Sequence, residues 1–133
     1  MPFVVDASMT ASWRLPDEQE ELALACYQML KTDEARVPPI WRFEVCNLLV
    51  MAERRNRIPS KYADTALRLL EDYPIVEDAS SRPEMILAIA RSYSLSAYDA
   101  AYLELAQRTR FPLATLDNGL VRAARSANVA LVE

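Results

Sequence analysis

Histidine is absent from the 133 residues, and glycine occurs once, as Gly119. The first absence excludes His-based acid–base catalysis, Ser-His-Asp triads and zinc sites built on imidazole. The second excludes both G-x-G-x-x-G and a Walker A loop. Only two cysteines occur, Cys26 and Cys46. They form neither a C-x-x-C pair nor a disulfide framework, and each sits in an apolar helical pattern, so both read as reduced core thiols of a cytoplasmic protein. No unbroken apolar run exceeds Met85–Ala90, far short of the roughly 20 residues of a membrane helix. No basic stretch precedes an apolar one at the N-terminus, so no secretory signal is visible. Lysine is scarce too: Lys31 and Lys61 stand against thirteen arginines. The planar Arg fork matches phosphate or carboxylate oxygens, a mild pointer to anionic partners that genome composition explains equally well. A net charge of −4 and a pI near 4.9 do not advertise nucleic-acid binding. What is left for chemistry is carboxylates, hydroxyls and arginine, and carboxylates alone suit hard cations such as Mg²⁺ or Mn²⁺.

With 52% hydrophobic residues, the chain reads as a single domain, 1–133, able to bury a real core. Phe3-Val4-Val5 is a short strand with no polar face. A helix is expected over 8–15, stopped by Pro16, and a second from a cap at Asp17 to about 32, opened by the acidic run Asp17-Glu18-Gln19-Glu20-Glu21. Ala35-Arg36-Val37 gives a second strand, 40–56 a helix and 60–72 another. Ile75-Val76-Glu77 gives a third strand, and 83–93 a helix so apolar that it is either well buried or half of an oligomer contact. Ser96 opens the next helix, and Leu113 to Asp117 is a fourth strand. Asn118-Gly119 supplies a turn, a helix runs to about 127, and Val129-Ala130-Leu131-Val132 makes a last strand. This alternation argues for a parallel sheet covered by helices on both faces.

Four acids stand out by position. Asp6 falls where the first strand ends, where ligands gather in open parallel sheets, though it is also a good helix cap. Asp117 ends the fourth strand in the same way. Glu44 lies among apolar neighbours, with Leu48 and Met51 on its own helical face, and an acid so placed wants a cation, an Arg or a raised pKa. Asp99 has small residues around it, Ala97, Ala100 and Ala101, that allow its helix to approach the sheet. With right-handed crossovers the ends of strands one and four open on one edge, and the helices carrying Glu44 and Asp99 can reach it. Four acids gathered there need compensation, and a divalent cation supplies it most simply.

The motifs around these acids resemble the PIN-domain ribonucleases, in particular the VapC toxins of bacterial and archaeal toxin–antitoxin pairs. The likeness covers nearly the whole chain. It consists of V-V-D-A-S at the start, P-x-x-W-x-x-E-V-x-N-L-L around Glu44, L-S-x-Y-D-A-A-Y-L-E-L-A around Asp99, and L-A-T-L-D at Asp117. The resemblance implies a three-layer α/β/α sandwich on a central five-stranded parallel sheet, with Asp6, Glu44, Asp99 and Asp117 binding Mg²⁺ or Mn²⁺. It also implies endonucleolytic RNA cleavage by metal-activated water, a cognate VapB-type antitoxin, homodimerisation, and no membrane association. Ser8 and Thr115 match hydroxyl residues that could orient a carboxylate. Asn118 stands where many relatives carry a further acid, which weakens any second metal. Arg14, Arg122 and Arg125 are candidates for contacting the RNA backbone.

Other readings are a catalytically silent PIN-like module that binds only protein, a receiver domain, and a haloacid-dehalogenase-like phosphatase. The receiver would want paired acids at the first strand and a Lys near the last. The phosphatase would want D-x-D where this chain has Asp6-Ala7-Ser8.

Overall fold

A computed structural model describes residues 1–16 and 20–133. Strand β1 (Phe3–Val5) is buried along its whole length, as three apolar residues without a polar face require. It pairs in parallel with β2 (Ala35–Val37) on one side and β4 (Leu113–Ala114) on the other; β3 (Ile75–Glu77) pairs with β2, giving the order β3-β2-β1-β4. The chain therefore builds outward from β1 through β2 to β3 and then returns to β1's free side. That reversal is a topological switch point, and it lies between β1 and β4.

Helices α1 (Ala7–Ser12), α2 (Glu21–Met29), α3 (Trp41–Arg54), α4 (Ser60–Glu71), α5 (Pro83–Tyr93), α6 (Ala97–Thr109) and α7 (Asn118–Ser126) flank this sheet. Helix α6 packs on β1 and β4, and α5 packs on α6; α1 packs on α3, and α3 on α4. The small side chains Ala100, Ala101 and Ala106 are buried along α6, which lets its axis lie close to the strands. The inward stripe of α3 is Trp41, Val45, Leu49 and Ala52, a helical spacing that buries one face. The Trp41 indole donates to Thr10 Oγ1 at 3.0 Å, and that hydroxyl donates to the Asp6 carbonyl at 2.8 Å. One buried hydrogen-bonded chain thus fixes α3 and α1 against the end of β1.

Five expectations need correction. The sheet has four strands, not five. β4 ends at Ala114, so the last segment meets it through a single parallel bridge, Leu131 to Leu113, made by Ala130 O and the Val132 N–H. Cys46 is exposed, because it lies one residue off the inward stripe of α3, whereas Cys26 is a buried thiol, pushed up to about 11 by burial. Of the two readings offered for α5, burial is the one that fails, since Ile89 is its one fully enclosed residue and Met85 and Leu87 face solvent. Asn118 and Gly119 are the first turn of α7 rather than a turn before it. The first helix is shorter than expected and already ends at Ser12. The expected cap Asp17 lies outside the described residues, as do Glu18 and Gln19. Among the described residues no helix is long and apolar enough to cross a membrane.

Candidate active site

Asp6 follows β1 directly and caps α1: its Oδ1 accepts from the backbone N–H of Met9 at 2.9 Å and from the Ser8 hydroxyl at 2.9 Å. Its other oxygen accepts from Thr115, the first residue after β4. Both carboxylate oxygens are thereby oriented by groups just beyond the two strands that flank the switch point. Asp117 repeats the arrangement at α7, where its Oδ2 accepts from Leu120 N at 2.8 Å while its own N–H donates to Thr115 Oγ1 at 3.0 Å. A Cβ at position 119 would lie 3.2 Å from Asp117 Oδ2, so the lone glycine leaves room for this capping carboxylate. Glu44, in the first turn of α3, accepts from the Tyr102 hydroxyl of α6 at 2.6 Å. Asp99 sits in the first turn of α6, whose cap Ser96 accepts the Asp99 N–H at 3.1 Å.

All four carboxylates, with Ser8, line one open cleft of about 390 Å³ at the carboxyl edge of the sheet. Burial raises the Asp6 carboxyl to about 6, against the downward pull of its Thr115, Met9 and Ser8 hydrogen bonds, and the Asp99 charge adds to the rise. Burial also raises Glu44, opposed by the Tyr102 hydrogen bond and reinforced by Asp99. Asp99 itself is raised by burial and by the charge of Asp117. Asp99 is thus the common neighbour of the other three. Among the described residues, none of the four makes an ion pair with Arg or Lys. Like charges are gathered here, partly desolvated, without a protein cation to offset them.

An all-oxygen set of this kind fits a hard divalent cation. Among the described residues, no three acids close on one point as a cage of their own.

The structure brings Asp6, Glu44, Asp99, Asp117, Ser8 and Thr115 together; it does not do so for Arg14. That guanidinium is half-buried 5.9 Å from the Tyr27 ring centre and 5.4 Å from that of Tyr73, and donates to both hydroxyls. It belongs to an aromatic cluster with Trp13 rather than to the cleft. Asn118 is exposed and does not line the cleft. Arg122 flanks Asp117 across Gly119, and Arg125 is exposed and paired with Glu133 at 3.1 Å.

Several residues escaped the sequence reading. Tyr102, which holds Glu44, is three residues beyond Asp99 and so shares its helical face; that spacing was the available signal. Arg55 and Arg57, just beyond the end of α3, line a second groove that shares Ser8, Leu48 and Asp117 with the acidic cleft. Phe43 and Tyr98 line the cleft itself.

A family model described as PIN domain matches residues 3–126. The chain is 30% identical over 123 residues to ribonuclease VapC3 of Pyrobaculum aerophilum, a match spanning 90% of this chain and 92% of that protein. The fold is similar to that of PAE2754 from Pyrobaculum aerophilum, with TM-score 0.72 and 22% identity over 92% of this chain and 79% of the other. FitAcB from Neisseria gonorrhoeae is similar with TM-score 0.66 and 17% identity, covering 100% of this chain and 97% of its own. A toxin–antitoxin complex from Klebsiella pneumoniae gives TM-score 0.59 and 17% identity over 86% of each chain.

Proposed function

Because the chain belongs to the PIN-domain family, we propose that it is a metal-dependent endoribonuclease and the toxin of a VapBC-type toxin–antitoxin pair. The observation that carries this reading is the cleft itself, four carboxylates at the switch point of a parallel sheet with, among the described residues, no Arg or Lys in its lining. The identity to a ribonuclease and the structural likeness to toxin–antitoxin proteins support it.

Asp6 and Asp99, with Glu44 and Asp117 beside them, would hold Mg²⁺ or Mn²⁺. A bound ion of this kind polarises a phosphoryl oxygen and lowers the pKa of water. The chain's own contribution is positioning. Thr115, Ser8 and the Met9 N–H fix the orientation of Asp6, and Tyr102 fixes Glu44. The carboxylates accept protons from a water aligned with the scissile phosphodiester, and attack by water leaves a 5′-phosphate and a 3′-hydroxyl. Asn118, at the end of the acid series, adds no charge there. Arg122, across Gly119 from Asp117, contacts the RNA backbone, and Arg125 extends that contact along α7. Met85 and Leu87, exposed on α5, support homodimerisation, and a VapB-type antitoxin is the expected inhibitor. The setting is cytoplasmic.

The test is cleavage of a structured RNA pool by the purified, partner-free protein with and without Mg²⁺ or Mn²⁺, with Asp99→Asn in parallel. Metal-dependent cutting that yields 5′-phosphate ends and disappears in the variant is the expected result. Neither cutting nor calorimetric metal binding would leave the silent protein-binding module as the better reading.

A further inference from the structure

Resting on the nuclease reading, we propose that Phe43 and Tyr98 form a base-stacking rim around the acidic cleft that selects unpaired RNA. Both side chains line the cleft, and both are strongly exposed, Phe43 at 74% and Tyr98 at 59%. Each immediately precedes a cleft acid, Phe43 before Glu44 on α3 and Tyr98 before Asp99 on α6. One residue along a helix is a rotation of about 100°. On both helices, therefore, the step that half-buries a carboxylate in the cleft leaves an aromatic ring at its mouth.

Most of the larger rings elsewhere in the molecule are engaged internally. Trp13, Tyr27 and Tyr73 pack on one another with centroids 5.5 to 6.3 Å apart, Trp41 is tied to Thr10, and Tyr102 to Glu44. Among the described residues, Phe43 and Tyr98 have no ring, cation or hydrogen-bond partner. Two bare aromatic faces beside a carboxylate centre match a strand whose phosphate reaches the acids while its neighbouring bases meet the rings. Every base has a face that stacks, and in a duplex those faces are already covered. Neutral rings also add no repulsion toward a polyanion in a chain of net charge −4. The adjoining groove, with Arg55 and Arg57 and the shared walls Ser8, Leu48 and Asp117, gives the strand's phosphates a cationic path away from the acids. That charge arrangement favours RNA over a peptide as the occupant of the rim.

The experiment is steady-state cleavage of a single-stranded oligonucleotide spanning a site cut in the pool assay, and of the same sequence in a duplex. Phe43→Ala and Tyr98→Ala are each expected to raise KM roughly five- to hundredfold, with kcat at saturation changing less. Phe43→Trp and Tyr98→Phe restore KM, because the stacking face is back. The duplex is expected to be cut about tenfold more slowly or worse. An unchanged KM in both alanine variants, with Asp99→Asn still silent, overturns the rim and leaves the nuclease standing; the rings then face a protein. Equal cutting of duplex and single strand overturns the rim as well. Failure of the parent protein to cut any RNA removes the nuclease reading, and the rim with it.

Discussion

Asp99 and Glu104 stand on the same helix, about one and a half turns apart, in opposite electrostatic situations. Glu104 is almost fully buried, and Arg108 reaches it with Nε at 3.0 Å while its Nη1 reaches Asp78 at 3.2 Å. Burial pushes Asp78 up, but the Ser80 N–H and Arg108 outweigh it and hold the carboxyl below its ordinary value. The Arg108 guanidinium is raised in turn, since Glu104 and Asp78 outweigh the effect of burial. Asp99, Asp6 and Glu44 have no such cation, and all three are raised. One end of α6 is a closed ion-pair network, whereas the other is left open for a charge that the protein does not supply. The difference separates a structural acid from a candidate site acid better than burial does, for Glu104 is buried more deeply than Asp99.

Four substitutions act on that contrast. At the open end, Asp99→Asn is expected to lower cleavage about a thousandfold, or about 4 kcal/mol in the barrier. It should leave Tm equal or higher, because it removes one of several crowded like charges; a fall in Tm of several degrees would mean that Asp99 is structural after all. At the closed end, Arg108→Ala should cost about 3 kcal/mol of stability by leaving buried Glu104 without its partner. Denaturant melts will show it, and activity per folded molecule should be retained.

The third experiment separates the two ends by pH. Asp6 binds its proton more tightly in the native state than in the unfolded one, with a folded pKa of about 6 against 3.8. Native protein therefore carries more protons than unfolded protein between those values, and metal-free stability falls as pH rises through that window. The full cost, on the order of 3 kcal/mol, is present above about pH 6. Melts in chelator from pH 4 to 7.5 should show the decline, smaller in Asp6→Asn, which also loses activity. Glu44 and Asp99 push in the same direction, so a residual slope remains. Asp78, whose folded pKa is lowered, works oppositely, its contribution being lost as the medium turns acid. The smallest effect is expected from Tyr102→Phe, about tenfold in kcat. Loss of the 2.6 Å hydrogen bond to Glu44 frees that carboxylate without touching Arg108; kcat equal to that of the parent would show that Glu44 needs no anchor.

Much of this was legible in the chain. Phe3-Val4-Val5, Ala35-Arg36-Val37 and Ile75-Val76-Glu77 became strands where their apolar and β-branched runs placed them. Asp6 was legible as a strand-end acid; Asp117 was read as one too, but β4 already ends at Ala114 and Asp117 stands three residues beyond it, and both acids also proved to be caps. Val129 to Val132 has the look of a strand, but β4 beside it is only two residues long, and no local pattern in 129–132 reveals how short its neighbour is. Cys46 and Phe43 look apolar and therefore buried, yet exposure is decided by what packs across α3, not by α3 itself. Arg14 likewise reads as a free cation until Tyr27 and Tyr73, distant in sequence, close around it. Pairings such as Glu44 with Tyr102 exist only in the tertiary fold.

The hydrogen bond from Thr115 to Asp6 joins residues 109 positions apart, and β1 needs β4 beside it before Asp6 and Asp117 share an edge. Contacts this remote form late and close slowly. At synthesis rates of 5–20 residues per second, roughly 5 to 20 seconds separate the emergence of Asp6 from that of Asp117. Throughout that interval the nascent chain has no cleft. The ribosome that makes this protein handles messenger, transfer and ribosomal RNA beside an acid pair that is still half missing, so, on the proposed function, the order of the chain delays assembly of the site until synthesis is nearly done.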